Sequence, residues 1–329
     1  VIVTRAPFRL PFGGGGTDLK SYYSRHGGFI LSAAINRYVF ICLNQPQVDT
    51  LYRIKYSRTE IVATLEEIQH PLVREALRML HIPAGIEITS MADVPAGTGL
   101  GSSGSFLVAL LTALHTFKRD HIPPWSLAEE ACCIEIEKVG QPVGKHDQYM
   151  AAFGGLTCLD IAPDGQVTVT PLRISAHNLE QLRNSLTIYY TGISRSSHEI
   201  LAEQSQGASQ DQSQVTESLH QIKEIGREIK VALEGGKLDR FGELMDVHWE
   251  NKKKISEKIS DGQINHWYQV GRDNGAIGGK LMGAGGGGFL MFYCHNSDKA
   301  RLRRALREEG LREMTFEFDV EGAKVLVNF

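Results

Sequence analysis

The sequence predicts an α+β fold in two lobes, residues 1–183 and 184–329. Three observations carry that reading. Strand-like and helix-like segments alternate through the first half. Glycine-rich loops occur at residues 95–105 and 283–288, each beside a regular element. After Leu182 the texture changes from apolar, β-rich segments to long polar helices.

The elements follow in order. Residues 1–62 read as β-rich, interrupted by Gly13-Gly-Gly-Gly16, with a short helix over Leu19–His26 ended by Gly27-Gly28 and strands over Ile30–Leu43 and Leu51–Tyr56. His70–Leu80 has helical spacing. Gly85–Ser90 alternates like a strand, and Phe106–His115 is a long apolar run that reads as a buried helix. Ser126-Leu-Ala-Glu129 has the form of a capping box opening a helix that runs to Val139 and stops at Gly140. A short helix is expected between Gly144 and Gly155, then a hairpin, Leu156–Ile161 and Gln166–Leu172, around Asp164-Gly165. Beyond the lobe boundary, Ser185–Thr191 reads as a strand and residues 196–259 as polar helix broken at Gly235-Gly236. The Gln- and Ser-rich stretch Gln204–Ser218 is its most mobile part by composition. Helices over Ile264–Asn274 and Asp298–Glu309, a strand over Phe289–Tyr293 and terminal strands complete the chain.

Composition narrows the function. Hydrophobic residues make up 42% of 329 positions, enough for a sizeable core. A net charge of −3 offers no general attraction to nucleic acid or to an anionic membrane. No apolar run approaches the roughly 18 residues of a spanning helix, and Val-Ile-Val-Thr-Arg-Ala at the start lacks a signal-peptide layout. The expectation is a cytoplasmic protein, monomeric or homodimeric, with a small-molecule substrate. Cys42, Cys132, Cys133, Cys158 and Cys294 form an odd, scattered set without a C-x-x-C, so they read as reduced thiols. The twelve histidines show no zinc-ligand spacing, and no structural metal is expected.

The loop Pro95-Ala-Gly-Thr-Gly-Leu-Gly-Ser-Ser-Gly-Ser105 bridges a strand and a helix start. Unpaired N–H groups and the positive end of the helix dipole make it a phosphate cradle. The expression G-x-G-x-x-G is met twice, at Gly99–Gly104 and Gly283–Gly288, so it identifies nothing alone. Glu129 and Glu130 have the spacing of a ribose-binding acid, but they lie in a helix, which argues against a dinucleotide fold. Gly279-Lys280 precedes Leu281, so there is no Walker-type P-loop, and the protein-kinase signatures are missing.

Four segments carry candidate chemistry. Arg5–Asp18 sets Arg5, Arg9 and Asp18 around four glycines that let a ligand approach the backbone, with Thr17 and Asp18 suited to sugar hydroxyls. In the loop, Ser102 and Ser103 either cap the helix or meet phosphate and metal. Glu137, at the negative end of a helix dipole, favours a cation partner over solvent, and Asp147 is equally a helix cap or a base. Gly278–Phe289 either closes over phosphates or packs against the first loop. Lys252-Lys253-Lys254 reads as a solvated helix face.

Together these segments resemble the GHMP kinase family over nearly the whole chain. Pro95–Ser103 matches the family's phosphate loop, Gly144–Gln148 its catalytic aspartate segment and Gly283–Gly288 its C-terminal glycine motif. The resemblance implies an N-terminal lobe like ribosomal protein S5 domain 2 and a ferredoxin-like C-terminal lobe. It also implies ATP and Mg²⁺ as cofactors. Pro95, Gly97, Gly99, Gly101, Ser102, Ser103 and Gly104 would cradle the ATP phosphates, and Ser103 and Glu137 would hold Mg²⁺. Asp147 would orient or deprotonate the acceptor hydroxyl, with Arg9 keeping it ionised. Gly15, Gly16, Thr17, Asp18, Gly285 and Gly286 would contact substrate.

Within the family, Arg5–Leu19, Gly144–Gly155 and Tyr190–Ser197 resemble most the members that act on a heptose phosphate; the Gly-Glu-His-Thr-Asp of galactokinases is absent. The implied reaction phosphorylates the anomeric hydroxyl of a heptose 7-phosphate to the 1,7-bisphosphate, a step toward nucleotide-activated heptose for bacterial surface polysaccharide. Arg195, ringed by serines, then Lys145 and Arg37 are the candidates to bind the acceptor's own phosphate. A kinase of fucose or another sugar, and a non-catalytic sugar and ATP sensor on the same fold, are the alternatives.

Overall fold

The computed structural model describes residues 1–193, 197–209 and 213–329. The first half carries β1 (Ile2–Gly13), α1 (Lys20–His26), β2 (Gly28–Asn44), β3 (Tyr52–Lys55), β4 (Thr59–Val62), α2 (Pro71–Met79), β5 (Ile86–Ala92), α3 (Ser102–Lys118), α4 (Pro124–Cys132), α5 (His146–Phe153), β6 (Leu156–Ile161), β7 (Val167–Pro171) and α6 (Ala176–Ser185). The second half carries β8 (Leu186–Tyr190), α7 (Ser197–Ser209), α8 (Ser213–Glu234), α9 (Leu238–Lys253), α10 (Gly262–Asp273), β9 (Ala276–Leu281), β10 (Phe289–Cys294), α11 (Asn296–Glu308), β11 (Arg312–Met314) and β12 (Lys324–Asn328). The described parts of Gln204–Ser218, expected to be mobile, lie within α7 and α8, and Gln204 is buried.

Two sheets organise the chain. The larger runs β12-β1-β2-β5-β3-β4, with β6 and β7 branching from β2; the smaller runs β11-β8-β10-β9. β2 pairs with β1 along one edge and divides the other between β6, over Gly28–Ala33, and β5, over Val39–Asn44. The smaller sheet begins where the lobe boundary was expected, but the end of the chain does not stay with it. Asn36 N–H donates to the Glu317 carbonyl at 2.9 Å, and β12 pairs with β1. Residues after β11 therefore complete the first sheet. The lobes also share apolar packing: Phe12 of β1 meets Phe241 of α9 edge to face at 5.3 Å.

β1 contains Pro7 and Pro11, which cannot donate to a ladder and belong at edges and bulges. The structure obeys that rule. Its register with β2 shifts after Pro7 and after Pro11, and β12 covers its outer edge only from Ile2 to Arg5. The exposed remainder of that edge receives the glycine loop instead. Arg9 N–H donates to the Leu100 carbonyl at 3.2 Å, and the Ser105 hydroxyl donates to the Pro7 carbonyl at 2.8 Å. The prolines thus leave open the strand edge on which the loop is built.

Three local expectations are corrected. Helix α3 has Gly101, in the left-handed conformation, as its N-cap, with no side-chain cap, so Ser102 does not serve as one. Helix α4 starts at Pro124 rather than at a capping box on Ser126, and Glu129 instead accepts from Lys145 and Tyr149. The helix expected to continue to Val139 becomes a π-helix over Cys133–Lys138, with Val139 N–H donating five residues back to the Ile134 carbonyl. A π-turn adds a residue per turn and redirects every side chain after it.

The two glycine loops pack against each other. A Cβ on Gly283 would lie 2.4 Å from Gly99 Cα, and one on Gly288 would lie 2.2 Å from the Thr98 carbonyl oxygen. Gly283 also has φ +72°, a region that costs an L-residue about 1–2 kcal/mol. Gly283→Ala is therefore expected to lower stability by at least about 2 kcal/mol and to reduce ATP affinity, because it wedges the loops apart. Calorimetric unfolding and nucleotide titration of the variant check both effects.

Candidate active site

A cleft of about 440 Å³ lies between the two glycine loops and the Gly13–Asp18 turn. Its wall includes Arg9, Gly15, Gly16, Asp18, Gly97, Gly99, Gly101, Ser102, Ser103 and Asp147, drawn from both ends of the first lobe. Gly283, Gly285 and Gly287 close it from the second.

Asp147 lies inside the first turn of α5, after the N-cap residue Lys145, so it is not the helix cap. Its Oδ1 accepts from Arg9 Nε at 2.8 Å and lies 2.6 Å from Arg9 Nη2. The third guanidinium nitrogen, Nη1, donates to the Gly99 carbonyl at 2.6 Å, so one arginine ties the acid to the phosphate loop. Burial opposes ionisation of Asp147, but the charge and hydrogen bond of Arg9, together with His146, hold the carboxyl below its ordinary range. The glycines of α3 make this possible. A Cβ on Gly104 would sit 2.7 Å from Asp147 Cβ, and one on Gly101 3.0 Å from Asp147 Cγ. The carboxylate therefore rests against the helix N-terminus, where the dipole also favours negative charge.

Asp18 faces the same cleft. Its Oδ1 accepts from Gly16 N–H at 3.2 Å and its Oδ2 from His146 N–H at 3.1 Å. Burial, then the charge of Asp147, raises its pKa. Gly144 must be glycine here, because a Cβ would lie 2.0 Å from Asp18 Oδ2. His146 donates to or accepts from the Ser32 hydroxyl through Nε2 at 2.5 Å; burial and then Arg9 push it down to about 3, so the ring is neutral.

Glu137, expected to face a cation, is exposed and outside the cleft, with Cys133 Sγ as a neighbour at 3.6 Å. The π-turn presents Glu135 instead, 2% exposed and in the cleft wall. Gln148 Nε2 donates to it at 2.7 Å and the Ser103 hydroxyl is also a hydrogen-bond partner. Burial pushes Glu135 up to about 7, despite those two bonds. A buried carboxylate beside a hydroxyl at a phosphate-binding helix start is a hard-oxygen donor set of the kind Mg²⁺ uses, with the rest of its shell from phosphates and water. Among the described residues no three His, Cys, Asp or Glu side chains converge on a metal site.

Other expected contacts are placed elsewhere. The Thr17 hydroxyl is fully buried, donating to the Gly14 and Phe29 carbonyls at 2.8 and 2.9 Å, so it braces the glycine turn. Lys145 Nζ holds Glu129 at 2.8 Å and the Gly165 carbonyl at 2.7 Å, outside the cleft. Arg37 is held by the Asn36 and Thr315 carbonyls. Gly286 spends its N–H on the Ile259 carbonyl at 2.9 Å. Pro95 is exposed and outside the cleft wall, its carbonyl accepting from the Thr98 hydroxyl at 2.9 Å, and Gly104 is buried under Asp147. Arg195 lies outside the described residues. Lys252, read as part of a solvated face, instead lines the cleft with His248 and Lys280. An i, i+4 pairing of His248 with Lys252 was the one sequence signal for that group.

The chain as a whole is similar to known proteins. The family model "GHMP kinases N terminal domain" matches residues 51–155, and "GHMP kinases C terminal" matches residues 229–311. The chain belongs to the GHMP kinases. Its matches include D-glycero-alpha-D-manno-heptose 7-phosphate kinase of Campylobacter jejuni, 30% identical over 98% of both chains. They also include an L-fucokinase/L-fucose-1-P guanylyltransferase of Bacteroides fragilis, 26% identical over 94% of this chain and 36% of that one. Among solved structures, a D-glycero-D-manno-heptose 1-phosphate kinase from Bacteroides thetaiotaomicron superimposes with a TM-score of 0.83 at 27% identity, covering 100% of each chain. This GHMP kinase is an ATP-dependent kinase. No helix among its described residues is long and apolar enough to cross a membrane.

Proposed function

We propose that this kinase transfers the γ-phosphoryl group of ATP to the anomeric hydroxyl of D-glycero-α-D-manno-heptose 7-phosphate, giving the 1,7-bisphosphate and ADP. The observation that carries this reading is Asp147, paired with Arg9 at the mouth of a glycine loop and beside Asp18, whose Oδ2 accepts from the adjacent His146 N–H. The full-length similarity to a heptose 7-phosphate kinase supplies the sugar. The Bacteroides structure is named for a heptose 1-phosphate, and the 1,7-bisphosphate bears phosphate at both positions.

In this reading the anomeric oxygen attacks the γ-phosphorus, the bond to the β-phosphate oxygen breaks, and Asp147 takes the hydroxyl proton. An anomeric hydroxyl is more acidic than an ordinary alcohol, so a carboxylate with a low pKa suffices as base. Arg9 offsets charge gathering on the transferred group. Asp18 orients sugar hydroxyls as an acceptor, beside the backbone of Gly15 and Gly16. Backbone amides of Gly97–Ser103 bind the nucleotide phosphates at the α3 N-terminus. Glu135 and Ser103, rather than Glu137, hold Mg²⁺. When bound, the ion neutralises phosphate charge. The enzyme acts in the cytoplasm, as a monomer or homodimer, in the supply of activated heptose for surface polysaccharide.

A coupled ADP-release assay tests the substrate with heptose 7-phosphate, mannose, fucose and sedoheptulose 7-phosphate side by side. The highest kcat/KM is expected with heptose 7-phosphate, and phosphorus NMR of the product should show a new anomeric phosphate. Preference for fucose or mannose reassigns the sugar. Absence of turnover with every sugar, while Mg·ATP still raises Tm, identifies a sensor instead.

A further inference from the structure

The cleft wall carries three cations, Arg9, Lys252 and Lys280, and three carboxylates, Asp18, Glu135 and Asp147, but the charges are not matched pair by pair. Arg9 is paired with Asp147, whereas Lys252 and Lys280 meet no carboxylate among the described residues. Lys252 Nζ donates to the Leu281 carbonyl at 3.3 Å and to the Gly283 carbonyl; Lys280 Nζ donates to the Phe12 carbonyl at 3.2 Å. Lys280 is 2% exposed, yet it reaches the cleft wall. One turn before Lys252 on α9, His248 is 1% exposed, lines the same wall, and has no hydrogen-bond partner on either ring nitrogen among the described residues. Two unpartnered ring nitrogens in a cleft wall leave His248 able to donate one hydrogen bond to a ligand and accept another. Burial without a counter-ion pulls Lys252 down to about 7, and an arriving anion reverses that.

We propose that Lys252, Lys280 and His248 form a receptor for a phosphate dianion. Burial, then the charge of Lys252, also pulls Lys280 well below its ordinary range; with the anion in place both lysines regain a proton, two ammonium groups match its charge, and the imidazole N–H donates to a third oxygen. In the kinase reading above, the nucleotide's phosphates already have the α3 N-terminus and the Mg²⁺ that Glu135 would hold. Of the cations expected to hold the acceptor's own phosphate, Lys145 and Arg37 are engaged elsewhere. Two sources share this chemistry: the acceptor's phosphate and the terminal phosphate of the nucleotide. The choice between them rests on the kinase reading above; the receptor itself does not.

Inorganic phosphate is the probe. Titrated at constant ionic strength against a chloride control, it is expected to raise the Tm of the wild-type protein. Lys252→Met, which keeps the apolar stem, and His248→Leu are each expected to weaken phosphate binding about tenfold or more. Phosphate acting no better than chloride on the wild type, or binding equally well to both folded variants, overturns the receptor. Kinetics then assign the source. A collapse in K252M of the kcat/KM preference for heptose 7-phosphate over mannose supports the acceptor's phosphate. An equal fall in kcat for both sugars, with the preference kept, supports the nucleotide's. Should the wild type not use heptose 7-phosphate at all, the substrate reading fails while the phosphate titration still decides the receptor.

Discussion

Asp147→Asn is expected to lower kcat by about 10³-fold, close to 4 kcal/mol of transition-state stabilisation, while nucleotide affinity stays within a few-fold of wild type. The amide keeps the size of the carboxylate and an oxygen for Arg9, so the loop that Arg9 anchors through Gly99 stays in place. What is lost is the proton acceptor and the charge. Stopped-time ADP release and calorimetric titration with a non-hydrolysable ATP analogue measure the two quantities. An unchanged kcat removes Asp147 from the chemistry. Arg9→Met is the harsher change: it leaves a buried carboxylate without its partner, a loss of about 3–5 kcal/mol, and it frees the Gly99 carbonyl as well.

Glu135→Gln has opposite effects on activity and on stability. Turnover should fall by about 10²–10³-fold, as for loss of one preorganised charge partner of the transferring phosphate. The metal-free protein, however, should become more stable above neutral pH. Burial raises the Glu135 pKa to about 7 from an ordinary 4.5. A carboxyl with a raised folded pKa contributes fully below its unfolded pKa and loses that contribution as pH climbs through the folded value. The stability loss therefore develops between about pH 4.5 and 7 and amounts to about 3 kcal/mol at pH 8. Glutamine does not ionise, so urea unfolding in EDTA should show E135Q more stable at pH 8 and near wild type at pH 4.5. Glu137→Gln is the control. It is exposed and is expected to shift stability by less than about 0.5 kcal/mol and to leave turnover unchanged. If Glu137→Gln, not Glu135→Gln, abolishes activity, the assignment is reversed. A residue whose removal stabilises the protein while it stops the reaction is one kept for function.

The difference between these two glutamates shows where sequence reading stopped. Both follow helix α4 at plausible positions, and helical periodicity alone selects neither. The π-turn decides, because its extra residue rotates Glu135 into the cleft and Glu137 out of it. Nothing in Cys133–Lys138 announces that turn locally. Lys252 is a similar case. In the chain it is one of three consecutive lysines, and only the packing of α9 beside β9 places it over the Leu281 and Gly283 carbonyls. Thr17 failed in the opposite direction. Its neighbour Asp18 does face the cleft, but the hydroxyl is turned inward to hold a sharp glycine turn.

What the sequence determined unaided was local and short in range. A run of glycines and serines between a strand and an apolar helix marks a candidate phosphate cradle, because backbone conformation and helix dipole are set within a few residues. The motif set was enough to name the family, the ATP chemistry and the Arg9–Asp147 pair. The tertiary structure alone decided which donors meet across distance: Glu135 with Ser103, the His248–Lys252 turn of α9 with Lys280, the last strand with the first. Those contacts join residues far apart in the chain, and their selection depends on helix rotation and sheet register, which a one-residue shift reverses.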